Sequence, residues 1–312
     1  METRATDEVR GAAQGRSVAD GEELLPPELV RRLHTLNLAS RTRRPGQRKG
    51  DRRSPKRGSS VEFADYRSYS PGDDLRRVDW NLYARTDKLF IKVYEEEEDR
   101  AVYLLIDSGA SMGFGEPSKL LLAQRITAAL GYVALHEMDR VYVSQIGGGP
   151  LRSSRPLRGG PSVPRLLEFL CGLTPDGGSS VRRALEEQAG RFTSPGLVIL
   201  VSDLMDPSGL LPGLRALAGR GHELTVVHVL SPEELDPGYV GDLELVDSET
   251  GSKQSVTIDR AAVEAYDHRL NAWLQEVRRD CLAVDAAYIQ TSSDTPVEEL
   301  LLGELRKRKV LV

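Results

Sequence analysis

Aromatic residues are scarce in this 312-residue chain, which has 5 Phe, 2 Trp and 10 Tyr. At 5% of all positions, they make stacking on bases or sugars a poor expectation for its function. Cysteine is scarcer still. Cys171 and Cys281 lie far apart among aliphatic residues, without C-x-x-C spacing. They supply neither a zinc site nor a disulfide framework, and are expected as buried free thiols in a reducing compartment. No apolar run approaches the roughly 20 residues that cross a bilayer. The opening METRATDEVRGAAQG has no hydrophobic stretch of the secretory kind. The expectation is a cytoplasmic protein.

Charge is plentiful but unevenly placed. The chain holds 42 Lys/Arg against 47 Asp/Glu, a net charge of −5. The first 60 residues hold 14 of the bases and only 8 of the acids, so the excess of acid lies downstream. Residues 41–57, RTRRPGQRKGDRRSPKR, contain nine Lys/Arg and one Asp. Such a run reads as a solvated loop, or as a contact for an acidic partner surface or an anionic membrane. No reader motif for a specific nucleic acid accompanies it. Residues 1–22 are small and polar and read as a disordered tail. Residues 23–99 read as an N-terminal segment carrying a short helix from Pro27 to Leu38, the basic loop and a β-rich part. There "SPGDD" signals a turn and LFIKVYE alternates as a strand. The set Arg67, Asp73, Asp74, Arg76, Asp79 and Arg85 reads as a charged network fixing one irregular turn, with a partner surface as the alternative. Glu95 to Asp99 is an acidic run at the strand's exit.

From residue 100 to 312 the pattern changes to short apolar strands alternating with amphipathic helices. AVYLLID (101–107), RVYVSQI (140–146), LVILVSD (197–203) and ELTVVHVL (223–230) are near-continuous apolar runs, as parallel strands covered on both faces require. Helices are expected at about 118–137, 161–171, 180–192 and 208–220. The fold class is therefore α/β, a doubly wound and mostly parallel sheet. GDLELVDSETGSKQSVTI (241–258) reads as a hairpin excursion. A helix with its apolar stripe at Val263, Tyr266, Leu270, Trp273, Leu274 and Val277 follows, then a strand AAYIQT and a closing helix from Pro296.

Ligands of such sheets bind at the carboxyl ends of the strands. Two strands end there on carboxylates, Asp107 and Asp203, and TPDGGSSVRR brings Ser179 and Ser180 to a helix start. Together with Ser111 they form an all-oxygen set suited to Mg²⁺ or Mn²⁺. Equally, Asp107 and Ser111 could hold the strand-to-helix turn through Asx-type hydrogen bonds. Asp206, three residues after Asp203, could add a further acceptor.

Asp107-Ser-Gly109-Ala-Ser111, then Gly177-Gly178-Ser179, then Ser202-Asp203 resembles the metal-ion-dependent adhesion site of von Willebrand factor A domains. That resemblance implies a metal held by Asp107, Ser111, Ser179 and Asp203, its shell completed by an acidic residue of a partner. The chain departs from the pattern at Gly109, where the family has a serine, and at Ser179, where it has a threonine. The preceding segment is similar to the signature of the domain of unknown function 58 family. It carries Glu62, Phe63, Arg67, Tyr69, Gly72, Asp73, Asp74, Arg76, Asp79, Trp80, Ala84 and Arg85. This second resemblance spans about residues 24–306. It implies a von Willebrand factor A-like domain and a non-enzymatic adaptor that works with a MoxR-type AAA+ ATPase.

The rival reading is a metal-dependent hydrolase or phosphoryl-transfer enzyme with Asp107 as aspartyl nucleophile. A haloacid-dehalogenase-type site would want a second carboxylate two residues later, where this chain has Gly109. GFGEPSK lacks the phosphate-loop spacing, and GGGP (147–150) is not followed directly by a helix. None of the five histidines has triad partners nearby in sequence.

Overall fold

The computed structural model describes residues 21–39, 61–96, 100–147, 151–178, 180–238, 241–246 and 252–312. The tail 1–20, the basic run 41–57, Ser179 and residues 97–99 of the acidic run lie outside the described residues.

The chain divides into two compact units, one of residues 1–41 with 100–312 and the other of residues 42–99. The first described elements are α1 (Gly21–Leu24) and α2 (Pro27–Leu33). Pro27 begins α2 at a position where its fixed φ suits a helix and its missing N–H is not needed. Leu29 and Leu33 then fall four residues apart on one face, and both are buried. The helix expected to reach Leu38 thus stops at Leu33, and it belongs to the large unit rather than to the segment running to residue 99. Beyond it, Leu38 bridges Leu311, and Asn37 and Val312 exchange backbone hydrogen bonds.

In the smaller unit, β1 (Val61–Ser68) pairs antiparallel with β2 (Phe90–Glu96), and α3 (Trp80–Thr86) lies between them in the chain. The charged set resolves into local fastenings. Arg67 grips Asp73 with both terminal nitrogens at 2.6 Å, which holds that carboxyl down at about 2. Asp74 accepts from the Arg76 amide. Asp79 caps α3 by accepting from the Asn81 and Leu82 amides, and takes the Tyr66 hydroxyl on its other oxygen.

The large unit is built on β3 (Ala101–Asp107), β4 (Arg140–Ile146), β5 (Arg152–Ser153), β6 (Leu157–Arg158), β7 (Gly196–Ser202), β8 (Glu223–Leu230) and β11 (Ala287–Ser292), with β9 (Gly241–Val246) and β10 (Lys253–Ile258) forming a separate hairpin. The main sheet runs β11-β8-β7-β3-β4-β5, with β6 also paired to β4. The five long strands are parallel, and only the short β5 and β6 are antiparallel. Along β3 the side chains alternate between two buried clusters: Val102, Leu104 and Ile106 face one, and Ala101, Tyr103 and Leu105 face the other. The first cluster packs under α1, α2, α4 (Lys119–His136) and α5 (Val163–Cys171). The second packs under α6 (Val181–Arg191), α7 (Leu211–Ala218) and the carboxyl half of α9 (Arg260–Leu282). A short α8 (Pro232–Leu235) follows β8, and α10 (Val297–Glu299) begins the closing helical segment.

The stripe on α9 is only partly used. Val277 is buried, Trp273 and Leu274 half so, but Tyr266 is exposed. Neither cysteine is in a disulfide. Cys281 is buried and Cys171 only partly, and burial pushes the Cys281 thiol up to about 12. Among the described residues no helix is long and apolar enough to cross a membrane.

Candidate functional site at the carboxyl edge of the sheet

After β3 the chain proceeds to β4 on one side, whereas β7 lies on the other. The gap between the ends of β3 and β7 is therefore where the winding reverses, the point at which open α/β sheets leave a crevice. Asp107 ends β3, and Ser202 ends β7 with Asp203 next. Neighbouring loops are laced together there. The Ser108 amide donates to the Ile146 carbonyl, Ala110 to Gly177, and Asp176 to Ser108. The loops bearing Asp107, Ser111 and Gly177 thus meet at the rim where β7 gives way to Asp203, while Ser179 lies outside the described residues.

Asp107 is 3% exposed. Its Oδ1 accepts the Gly109 amide at 2.9 Å, and its Oδ2 accepts the Ser202 hydroxyl at 2.6 Å. Ser202 in turn accepts the Leu204 amide, so the carboxylate ties the exit of β3 to that of β7. Gly147, at φ +69°, passes directly over it, and a Cβ there would stand 2.0 Å from Asp107 Oδ1. Burial, reinforced by the nearby Asp203 carboxylate, pushes the Asp107 carboxyl up to about 7. Gly109 leaves room for a side chain: an added Cβ would lie 3.4 Å from Asp107 Oδ1 and 3.8 Å from Ser111 Oγ.

Asp203 faces a different partner. Its Oδ2 is 2.7 Å from the ammonium of Lys119, and its Oδ1 accepts the Met205 amide. Lys119 Nζ also donates to Glu234 Oε1 at 2.5 Å. Glu234 is held in a capping box with Ser231, whose amide donates to Glu234 Oε2 and whose hydroxyl accepts the Glu234 amide. The side chain of Lys119 is wholly buried, and it is the first residue of α4, after the cap Ser118. A cation at that end opposes the helix dipole, and only its two carboxylate partners make the placement tolerable.

His228 completes the layer beneath. Its Nε2–H donates to the Asp203 carbonyl, so Nδ1 accepts from the Tyr288 hydroxyl. Burial pushes this imidazole down to about 4. Asp206 does not turn toward Asp203. It accepts from the Ser180 hydroxyl, the Arg182 amide, and the Ser208 amide and hydroxyl, joining the start of α6 to the loop after β7.

As arranged, the Asp107 and Asp203 carboxylates do not by themselves form a divalent-cation shell. Mg²⁺ wants near-octahedral oxygen ligands, whereas both Asp107 oxygens and both Asp203 oxygens are already engaged. Among the described residues no group of three or more His, Cys, Asp or Glu is placed to hold a metal. Asp107, 3% exposed, also presents almost no surface to a substrate. Sequence reading missed Lys119, Glu234 and His228. Lys119 was in view as the last residue of GFGEPSK, and a lysine opening the apolar run LLLA was the available signal. Nothing local marked Glu234, which lies 115 positions away.

Around this paired interior the edge exposes two large apolar side chains among polar ones such as Glu116 and Asp176. Phe114, on the loop after β3, is 50% exposed, and Met205, on the loop after β7, is 43% exposed.

The sequence pattern described as "Protein of unknown function DUF58" matches residues 65–274. The uncharacterised protein Rv1480 of Mycobacterium tuberculosis and Mb1516 of Mycobacterium bovis are each 27% identical over 274 residues, 86% of this chain and 86% of theirs. Among solved structures, the conserved hypothetical protein BatB of Bacteroides thetaiotaomicron is similar at a TM-score of 0.43 and 17% identity, covering 67% of this chain and 98% of that one. The SpRpn10 VWA domain is similar at a TM-score of 0.36 and 10% identity, covering 65% and 94%.

Proposed function

For a chain that belongs to the DUF58 family of proteins of unknown function, we propose a non-enzymatic role as a protein-interaction adaptor that docks its partner on the carboxyl edge of the sheet. The observation that carries this reading is the engagement of Asp107, Asp203, Lys119 and Glu234 with one another or with neighbouring loops beneath that edge, under loops that expose Phe114 and Met205. Catalysis wants a nucleophile, acid or base with an unengaged atom toward substrate. Docking wants a rigid, shaped surface with apolar anchors, and the interlaced loops supply one.

The proposed partner is a MoxR-type AAA+ ATPase, on the strength of the family resemblance, and the proposed setting is the cytoplasm. The basic residues 41–57 would add a salt-sensitive contact to an acidic surface or anionic membrane. The test is affinity capture from native lysate with tagged protein, in Mg²⁺ and in chelator, read by mass spectrometry. Recovery of a AAA+ ATPase by the wild type, and its loss with Phe114→Ser plus Met205→Ser at unchanged circular dichroism, is the expected result. Capture undiminished by the double substitution would remove the edge from the interaction. Turnover of a phosphoester panel abolished by Asp107→Asn would replace the adaptor reading with an enzymatic one.

A further inference from the structure

One of the carboxylates that the resemblance assigns to a metal, Asp203, already faces a cation. We propose that the ammonium of Lys119 is the resident cation of this edge, holding Asp203 and Glu234 together in the charge role of a divalent ion, so that the site is complete without a metal.

Three observations support it. Lys119 Nζ lies 2.7 Å from Asp203 Oδ2 and 2.5 Å from Glu234 Oε1, with its side chain wholly out of water. An ammonium has three donors and no acceptor, so two of its three N–H bonds are spent on carboxylates drawn from loops after two different strands. That is the bridging a hydrated dication would perform. Glu234 is not a stray neighbour either: its second oxygen is fixed by the Ser231 amide and its backbone carbonyl accepts the Tyr266 hydroxyl. It therefore presents its first oxygen to Lys119 from a pre-set position. Finally, each Asp107 oxygen already accepts a hydrogen bond, from the Gly109 amide and the Ser202 hydroxyl, and its side chain is buried beneath Gly147.

The missing serine at Gly109 fits this arrangement. Gly109 has an ordinary backbone conformation, with φ −55° and ψ 158°, and a Cβ there would meet nothing closer than 3.4 Å. Glycine is not required by the fold at this position. A hydroxyl ligand is simply not called for where no metal is held.

Cation binding and thermal stability read this role whether or not a partner docks at the edge. Purified full-length protein is titrated with Mn²⁺ by electron paramagnetic resonance, and its melting is followed in Mg²⁺ and in chelator. The wild type is expected to bind no stoichiometric Mn²⁺ and to melt at the same temperature in both. Gly109→Ser, which restores the pattern's serine, is expected to behave identically while Lys119 is present. Lys119→Met strands two carboxylates in the interior, and its melting temperature is expected to fall by about 5–15 °C. Millimolar Mn²⁺ or Mg²⁺ should recover part of that loss, because a ligand that binds only the folded state raises its stability. Stoichiometric Mn²⁺ on the wild type, abolished by Asp107→Asn, would overturn the proposal. So would tight Mn²⁺ binding by Gly109→Ser with Lys119 intact. If Lys119→Met does not fold, the wild-type and Gly109→Ser titrations decide the matter alone.

Discussion

Asp107 is the residue where burial and charge meet most sharply. Its carboxyl is pushed up to about 7 by burial, with Asp203 adding to the effect, against an unfolded value near 3.9. Between those two values the folded chain binds the proton more tightly than the unfolded chain. The Asp107 contribution to stability is therefore present at low pH and is lost as pH rises from about 4 through about 7. His228 acts in the opposite direction, because its ring is pushed down to about 4. Its contribution is present above the ordinary histidine value near 6.5 and is lost as pH falls through about 4. Wild-type stability mixes the two, but the difference between Asp107→Asn and wild type isolates one. Urea denaturation across this range should show the variant gaining on the wild type as pH rises, by an amount on the order of a few kcal/mol at about pH 8. A pH-independent difference would show that the carboxyl titrates normally. Gly147 gives a second test at this scale. It adopts φ +69°, and a Cβ would collide with Asp107 Oδ1 at 2.0 Å. Gly147→Ala should cost about 2–4 kcal/mol by chemical denaturation, whereas Gly109→Ala, which meets no such contact, should cost less than about 1 kcal/mol.

At the scale of elements, α2 shows how packing overrides position in the chain. It precedes β1, yet its buried Leu29 and Leu33 join the cluster under α4 and α5. Arg100, entering β3, donates to the Leu38 carbonyl at 2.8 Å and pairs with Glu137 and Asp139 at the end of α4, so it fixes the segment after α2 to the sheet. Leu33→Ala should accordingly cost the large unit about 2–5 kcal/mol. Thermal unfolding followed at Trp273, whose ring packs edge-on against His228, would register that loss. No change in the transition would place α2 outside the cooperative core. The front of α9 behaves differently. Its apolar stripe continues past the sheet, and the positions beyond Trp273 toward its start are exposed or only half buried.

The molecule as a whole is a large α/β unit interrupted by a smaller antiparallel one, residues 42–99. Leu38 and Arg100, which flank the smaller unit in the chain, are joined by a hydrogen bond within the large unit, so a short loop can connect them. Replacing residues 42–99 by a short Gly/Ser linker should leave far-UV circular dichroism helical and the melting temperature within about 5 °C of wild type. Collapse of the truncated chain would mean that the large unit does not fold alone.

The strands at 101–107, 140–146 and 223–230 were legible to the residue, because short, mainly apolar runs alternating with longer helical patterns mark parallel strands covered on both faces. The meeting of Asp107 with the exit of β7 was legible for a related reason: parallel winding sends every such strand's end to one rim. What those carboxylates would bind there was not legible. Lys119 finds Asp203 and Glu234 from 84 and 115 residues away, and hydrogen bonds between distant loops leave no local spacing to read. Residue order alone determined the sheet and its edge. Only three-dimensional packing decided that the charge facing Asp203 is a lysine side chain, because a buried ion is settled by whatever opposite charge the folded loops bring within reach.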